Sequence, residues 1–314
     1  MIRNGEVLGA DSVLSCSTIF SSRSTSVSCE VCQSALVAQS LRDGSSLSFC
    51  PKCSHIERDL GSAPANHRDA AYGGDPGLDR VRLELTWRGL VDAAPLEPKS
   101  RVFEIGFGAG ALLARFAQSG HTVGGCDLDQ LKVGVNETIY ADGLVFNTGI
   151  EDVTPPAEGF DLVYGIHVIE HVVDIHKTVE SARQLLNPGG RLVLFTPGGD
   201  SLSAKVFSDA WWLLEDPTHV RFFSIRSLTA LLERHGYTDV RVSRALYDNL
   251  TMEGASILRM FRGKRPAGGV LASTWSRIFA TLIAPAALVL RFLIPRWRPT
   301  LVVTATNPHR IATK

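Results

Sequence analysis

Three features of the sequence predict an α/β chain built on one doubly wound sheet of seven strands, the last of them antiparallel. Residues 101–105 (RVFEI) read as a buried strand. It runs through Gly106, Gly108 and Gly110 into a helix with Leu112, Leu113 and Phe116 on one face. Strand-like segments at 101–105, 121–126, 143–147, 160–164, 190–196, 238–244 and 300–306 are separated by helical or long connecting segments, the pattern of a mainly parallel sheet. Two close cysteine pairs precede this region and mark a small module of their own.

Residues 1–28 are Ser-rich without a sustained apolar run, and read as a disordered tail lacking the apolar core of a secretory signal. In residues 29–60, Cys29 and Cys32 are followed after seventeen residues by Cys50 and Cys53. Two such pairs, each on a tight turn, converge four thiolates into the tetrahedron that Zn²⁺ prefers, which makes this a zinc ribbon. A segment this short needs a staple in place of a core, so the metal is expected to be structural. His55 is read as exposed or as a neighbour of the site, since four thiolates already fill it. Residues 61–98 form a linker with a helix at 75–92, ended by Pro95 and Pro98.

The core is expected over 99–247. Its glycine turn brings backbone N–H groups close to a ligand, and Asp127, at the tip of the second strand, is placed to grip a ribose diol. After the fourth strand a helix follows with Val172, Ile175, Val179, Ala182 and Leu186 on one face. Residues 198–223 make a long connection at the carboxyl edge of the sheet, where substrate is held, and carry Trp211, Trp212, Asp216 and His219. A helix at 224–235 is capped by Ser224, buries Leu228, Leu231 and Leu232, and stops at Gly236.

Residues 248–299 are inserted before the last strand (300–314 with its tail), and 278–290 are uncharged between Arg277 and Arg291. Thirteen residues fall short of the roughly 20 of a span, so a basic segment lying in an anionic membrane surface is expected over 256–298. The net charge of the chain is zero, yet no acid follows Glu253 while ten Lys and Arg do.

The ordered motifs EIGFGAG, CDLD, GIEDV, FDLVYGIHVIEH and LLNPGGRLVLFTP resemble those of the class I S-adenosylmethionine-dependent methyltransferases, in the branch with an EH pair and an L-x-P-G-G turn. The resemblance covers about half the chain. It implies a Rossmann-like sheet and S-adenosylmethionine held by Glu104 at the methionine end, by the turn Gly106, Phe107, Gly108 and Gly110, and by Asp127. It also implies Leu128 against adenine, the Ile150 backbone N–H and the side chain of Glu151 or Asp152 at its amino group, His167 among the cofactor-binding residues, and the 75–92 helix with Tyr72 as a cover. His167, Glu170 and His171 form a substrate-side metal or base site, or else Glu170 and His171 orient the following helix.

His219 is the expected general base, in keeping with acceptor oxygen chemistry. The substrate is expected to be small or lipid-linked. No N/D-P-P-Y/F motif is present, which disfavours amino methylation of adenine or glutamine. The alternatives are an rRNA base methyltransferase gripping RNA through the ribbon, and a non-catalytic membrane scaffold. The ribbon has little basic or aromatic surface, so nucleic acid is disfavoured. A cytoplasmic protein, peripheral on the inner membrane face through 256–298, is expected. The sequence leaves the acceptor and the oligomeric state open.

Overall fold

Cys29 and Cys50 open two equivalent turns. Gln33 N–H donates to the Cys29 carbonyl and Ser54 N–H to that of Cys50, with Gln33 and Ser54 both in the left-handed region. These turns belong to a computed structural model that describes residues 28–41, 44–60, 76–128, 134–261 and 269–309. The Ser-rich tail at 1–27 and Tyr72 lie outside the described residues. Strands β1 (Val37–Ser40), β2 (Ser46–Phe49) and β3 (Ile56–Glu57) form an antiparallel meander between and after the turns.

Helix α1 (Pro76–Ala93) leads into β4 (Arg101–Ile105), α2 (Ala111–Gln118), β5 (Thr122–Cys126) and β6 (Val145–Phe146). Strand β4 buries every residue after Arg101, as a central strand covered on both faces must. Strand β7 (Phe160–Ile166) precedes α3 (Ile175–Leu185), which starts later than the apolar pattern from Val172 predicted. Asp174 caps it, accepting from the N–H groups of His176 and Lys177. Strand β8 (Leu186–Pro197) begins four residues early. Leu186 pairs with Phe160, the chain bulges through the L-x-P-G-G turn, and pairing with β7 resumes at Arg191.

Then come α4 (Leu202–Phe207), β9 (Arg221–Phe222), α5 (Ile225–Arg234), β10 (Thr238–Arg244), α6 (Met252–Phe261), α7 (Thr274–Leu293) and β11 (Thr300–Thr306). Ser224 caps α5 in a reciprocal capping box, and Leu228, Leu231 and Leu232 are fully buried, as expected.

The large sheet has the order β10-β11-β8-β7-β4-β5-β6. Strands β4 to β8 are parallel, and β11 runs antiparallel between β8 and β10. Strand order reverses between β4 and β7, whose connections leave in opposite directions, so the crevice for a ligand opens at their carboxyl ends with the tip of β5 beside it.

The ribbon's sheet does not end within the ribbon. Strand β3 pairs with β9 of the core, Ile56 opposite Phe222 and Glu57 opposite Arg221. The Arg221 guanidinium, buried, also donates from Nε and Nη2 to the Glu30 carboxylate at 2.7 and 3.0 Å.

Helix α7 spans 20 residues, more than the uncharged run. By length and composition alone it is apolar enough to cross a membrane. Arg291, expected as a surface flank, is fully buried. Its Nε and Nη2 each donate to Glu253 at 2.7 Å, and its Nη1 donates to the Asp248 carbonyl at 2.6 Å. A buried guanidinium requires such pairing, and Glu253, the last acid of the chain, supplies it.

Candidate active site

The glycine turn after β4 is fixed by its own backbone. Gly106 N–H donates to the Cys126 carbonyl at 2.7 Å, Gly110 N–H to that of Phe107 at 2.7 Å, and Gly108 N–H to Asp127 Oδ2 at 2.8 Å. Gly106 and Gly110 both have positive φ. A Cβ on Gly106 would stand 2.6 Å from Val168 Cγ2, and one on Gly110 2.9 Å from Ile139 Cδ1. Phe107 is buried beneath the turn. Asp127 thus stands half-buried at the tip of β5, pinned to the turn it faces across the crevice.

Glu104 lies buried in β4, where its neighbour in register on β7 is Tyr164. The Tyr164 hydroxyl donates to Glu104 Oε2 at 2.8 Å. Burial, with the nearby Asp127 charge, pushes the Glu104 carboxyl up to about 8 against the pull of Tyr164. Glu104 is therefore mostly protonated at neutral pH until a cation approaches.

Leu128 is 59% exposed, an apolar side chain on the rim of the crevice. A Cβ on Gly149 would lie 4.0 Å from Leu128 Cδ2 and 2.7 Å from Glu151 Oε2, so Leu128 and Glu151 flank one position. Ile150 packs its side chain in the core, and Glu151 accepts from the Thr178 hydroxyl. The residues fit the expected cofactor. The glycine turn admits close backbone approach, Asp127 offers acceptors for a diol, Leu128 offers an apolar face, and buried Glu104 has the chemistry to meet a cationic end.

His167, expected on the cofactor side, has both ring nitrogens engaged by carboxylates of the chain. Nδ1 lies 3.0 Å from Glu170 Oε1 and Nε2 2.7 Å from Asp248 Oδ2. Burial opposes its charge, but Asp248 and Glu170 outweigh burial and raise its pKa to about 10. Asp248, despite burial, is held well below the usual carboxylate range by His167. The Asp248 carboxylate also accepts from Asn249 and from the Thr300 hydroxyl.

His219 is buried on the connection before β9, and its Nδ1 lies 2.7 Å from the Leu213 carbonyl. A carbonyl only accepts, so Nδ1 carries a proton in this contact. His171 is held the same way, with Nδ1 2.9 Å from the Thr218 carbonyl. The two rings stand 4.7 Å apart, and ligand atoms of Glu170, His171 and His219 lie within 4.8 Å of one another. Glu170 Oε2 also accepts from the Thr196 hydroxyl at 3.0 Å. The Glu170–His171 pair, Glu170 buried and His171 half-buried, is therefore a polar centre as well as the lead into α3. Trp211 is buried against Phe222, so its ring packs the connection instead of facing a substrate.

At the ribbon, Sγ atoms of Cys29 and Cys53 stand 3.6 Å apart and those of Cys32 and Cys50 3.4 Å apart, all four within 4.8 Å. That spacing is close to the roughly 3.7 Å edge of a tetrahedron with 2.3 Å metal–sulfur bonds. Burial pushes the Cys29 and Cys53 thiols up, Cys53 to about 12. His55 is fully buried and bonds Glu30, which lies between the first two cysteines, with Nε2 2.8 Å from Oε1.

Tyr164, Thr178 and Asp248 were not singled out from the sequence. Strand register alone would have put Tyr164 beside Glu104, whereas nothing local marks Asp248 as the partner of His167, 81 residues earlier.

A sheet ordered with an antiparallel strand next to the edge, and a glycine turn facing an acid at the tip of the next strand, define an α/β nucleotide-cofactor protein. A family model described as "Methyltransferase domain" matches residues 80–242, and the chain belongs to that family, that of the S-adenosylmethionine-dependent methyltransferases. Among curated relatives, the ubiquinone biosynthesis O-methyltransferase of Mesorhizobium japonicum is 33% identical over 100 residues, 31% of this chain and 40% of that protein. The enzyme of the same name from Cereibacter sphaeroides is 33% identical over 120 residues, 36% of this chain and 48% of that one. The chain thus spans less than half the length of either relative. A solved chain from a Haloferax volcanii complex of a methyltransferase activator with a methyltransferase aligns with TM-score 0.50 at 17% identity. It covers 79% of this chain and 100% of that one, a likeness of fold.

Proposed function

We propose that this chain methylates a hydroxyl of a small or lipid-linked acceptor, with S-adenosylmethionine as donor. The observation that carries the reading is the buried His219 on the connection before β9, its Nδ1 2.7 Å from the Leu213 carbonyl and its ring beside Glu170 and His171, with ligand atoms of the three within 4.8 Å. When bound, S-adenosylmethionine supplies an electrophilic methyl group on sulfur. The chain holds it through Asp127, the glycine turn, Glu104 and the Leu128–Glu151 rim. Methyl transfer is an in-line displacement, so the protein chiefly positions the acceptor oxygen. As the oxygen–carbon bond forms, His219 Nε2 takes the hydroxyl proton. The curated relatives, named as O-methyltransferases, support an oxygen acceptor.

The test is production of S-adenosylhomocysteine on phenolic and lipid extracts, with the methylated product identified by mass spectrometry. His219→Ala should lower kcat by about 10²–10⁴ with little change in cofactor affinity. A variant as fast as the wild type at every pH would refute the base. A second reading is favoured by the meeting of Glu170, His171 and His219, a donor set that suits a divalent cation able to acidify the acceptor hydroxyl. Under it, activity follows a second equivalent of metal beyond the one at the ribbon; under the base reading, a protein carrying one equivalent at the cysteines is fully active and added divalent metal leaves the chemical step unchanged.

The four ribbon cysteines are proposed to hold a structural Zn²⁺, supported by the all-thiol donor set and its near-tetrahedral spacing.

A further inference from the structure

Helix α7 has two unlike faces. Ser276, Ala280, Ala287 and Arg291 recur along one side and are buried. A Cβ on Gly254 of α6 would lie 2.4 Å from Ala280 Cα, so the two helices meet backbone to backbone. The other side shows Trp275, Ile278, Leu282, Val289, Phe292 and Leu293, with Trp275 80% and Leu282 73% exposed. Phe261, at the end of α6, is 84% exposed. Nine of the twenty large apolar residues exposed among the described residues fall within 260–294, so the apolar surface is concentrated on this helix pair.

The segment of sequence that carries this face is basic. Arg277 lies near its start and Arg296 just beyond its end, and the connection between the helices contains Arg262, Lys264 and Arg265. No acid follows Glu253, and Glu253 itself is turned inward onto Arg291. A second copy of this chain meeting the face about a two-fold axis would set the same basic rim against itself. An anionic lipid surface matches both the apolar stripe and the rim. The buried Arg291–Glu253 pair and the closed inner face keep α7 lying along the protein instead of surrounded by lipid.

The helix pair is also tied to the connection that carries His219. Trp212 N–H donates to Ser256 Oγ at 2.9 Å, and Val270 N–H donates to Glu215 Oε1 at 2.6 Å.

We propose that the outer face of α7 and the end of α6 lie in an anionic membrane surface, so that the acceptor is an amphiphile taken from the bilayer. The acceptor's source rests on the methyl-transfer reading; the docking does not. The experiment is co-sedimentation of the full chain with phosphatidylcholine vesicles, with and without phosphatidylglycerol, at low and high salt. Leu282→Glu/Phe292→Glu changes only exposed side chains and serves as the variant. Wild type is expected to pellet with phosphatidylglycerol vesicles at low salt and to be released by high salt. The variant is expected to lose at least about tenfold in vesicle affinity while binding S-adenosylmethionine as wild type does. Retained cofactor binding separates a failure of docking from a failure of the methyltransferase reading. Wild type left in the supernatant at low salt, a variant that pellets like wild type, or a wild-type dimer that the variant turns into a monomer would each overturn the docking.

Discussion

Replacing Glu104 by Gln asks whether cofactor binding expels a proton from the centre of the sheet. Glu104 is fully enclosed, faces Tyr164 on the next strand, and has its pKa raised from 4.5 to about 8, first by burial. At pH 7 such a group is about nine-tenths protonated, so a cationic ligand that ionises it should release close to one proton per site. Calorimetry at pH 7 in buffers of different ionisation enthalpy measures that number directly. Affinity for S-adenosylmethionine should rise about tenfold per pH unit below pH 8 and level off above it.

The ligand-free fold should behave in the opposite sense. Stability fully present below pH 4.5 is lost as pH rises through about 8, on the order of 5 kcal/mol in total. Glu104→Gln should abolish proton release, flatten both pH dependences, and weaken cofactor binding by about ten- to hundredfold. Binding that releases no proton in the wild type, with an affinity indifferent to pH from 6 to 8, would refute the reasoning.

His167→Ala leaves Glu170 and Asp248 as buried carboxylates without their shared cation, and should cost about 3–5 kcal/mol in urea unfolding. Because the His167 pKa is raised to about 10, its contribution is full below pH 6.5 and lost as pH rises through 10. Asp248, held low, contributes only above its ordinary value of 3.8, so the gap between wild type and variant should be widest between these limits. A variant as stable as wild type at pH 6 would contradict the network. Metal analysis should find one Zn²⁺ per chain at the four cysteines. Cys50→Ser should lose it, and should slow methyl transfer more than it weakens S-adenosylmethionine binding, because the ribbon braces the connection carrying His219.

What could be read from the sequence was local. The strand–glycine–helix unit at 101–118, the Ser224 cap and the cysteine spacing each reside in about 25 consecutive residues or fewer, and all appear where expected. The apolar runs mark the strands, whereas the order of their neighbours in the sheet was implied only by the family resemblance. Partners distant in sequence were not legible. Arg291 looks like a surface flank until Glu253 is found 38 residues earlier in the fold. His176 is half-buried, with Nδ1 2.8 Å from His235 Nε2 and Nε2 donating to the Glu30 carbonyl at 2.9 Å, partners 59 and 146 residues away. His219 was placed on the substrate connection, but its meeting with Glu170 and His171 depends on how that connection folds back over the carboxyl ends of β7 and β8.

The pairing of β3 with β9 has a consequence during synthesis. Ile56 leaves the ribosome 166 residues before its partner Phe222. At ordinary translation speeds of about 5–20 residues per second, the interval is roughly 8 to 33 seconds. Throughout it the nascent ribbon offers an unpaired strand edge, the kind of edge that recruits other chains. A ribosome stalled between those two positions therefore displays the four-cysteine module with its sheet unfinished. The module is made before the core but completed only after most of the core has been made.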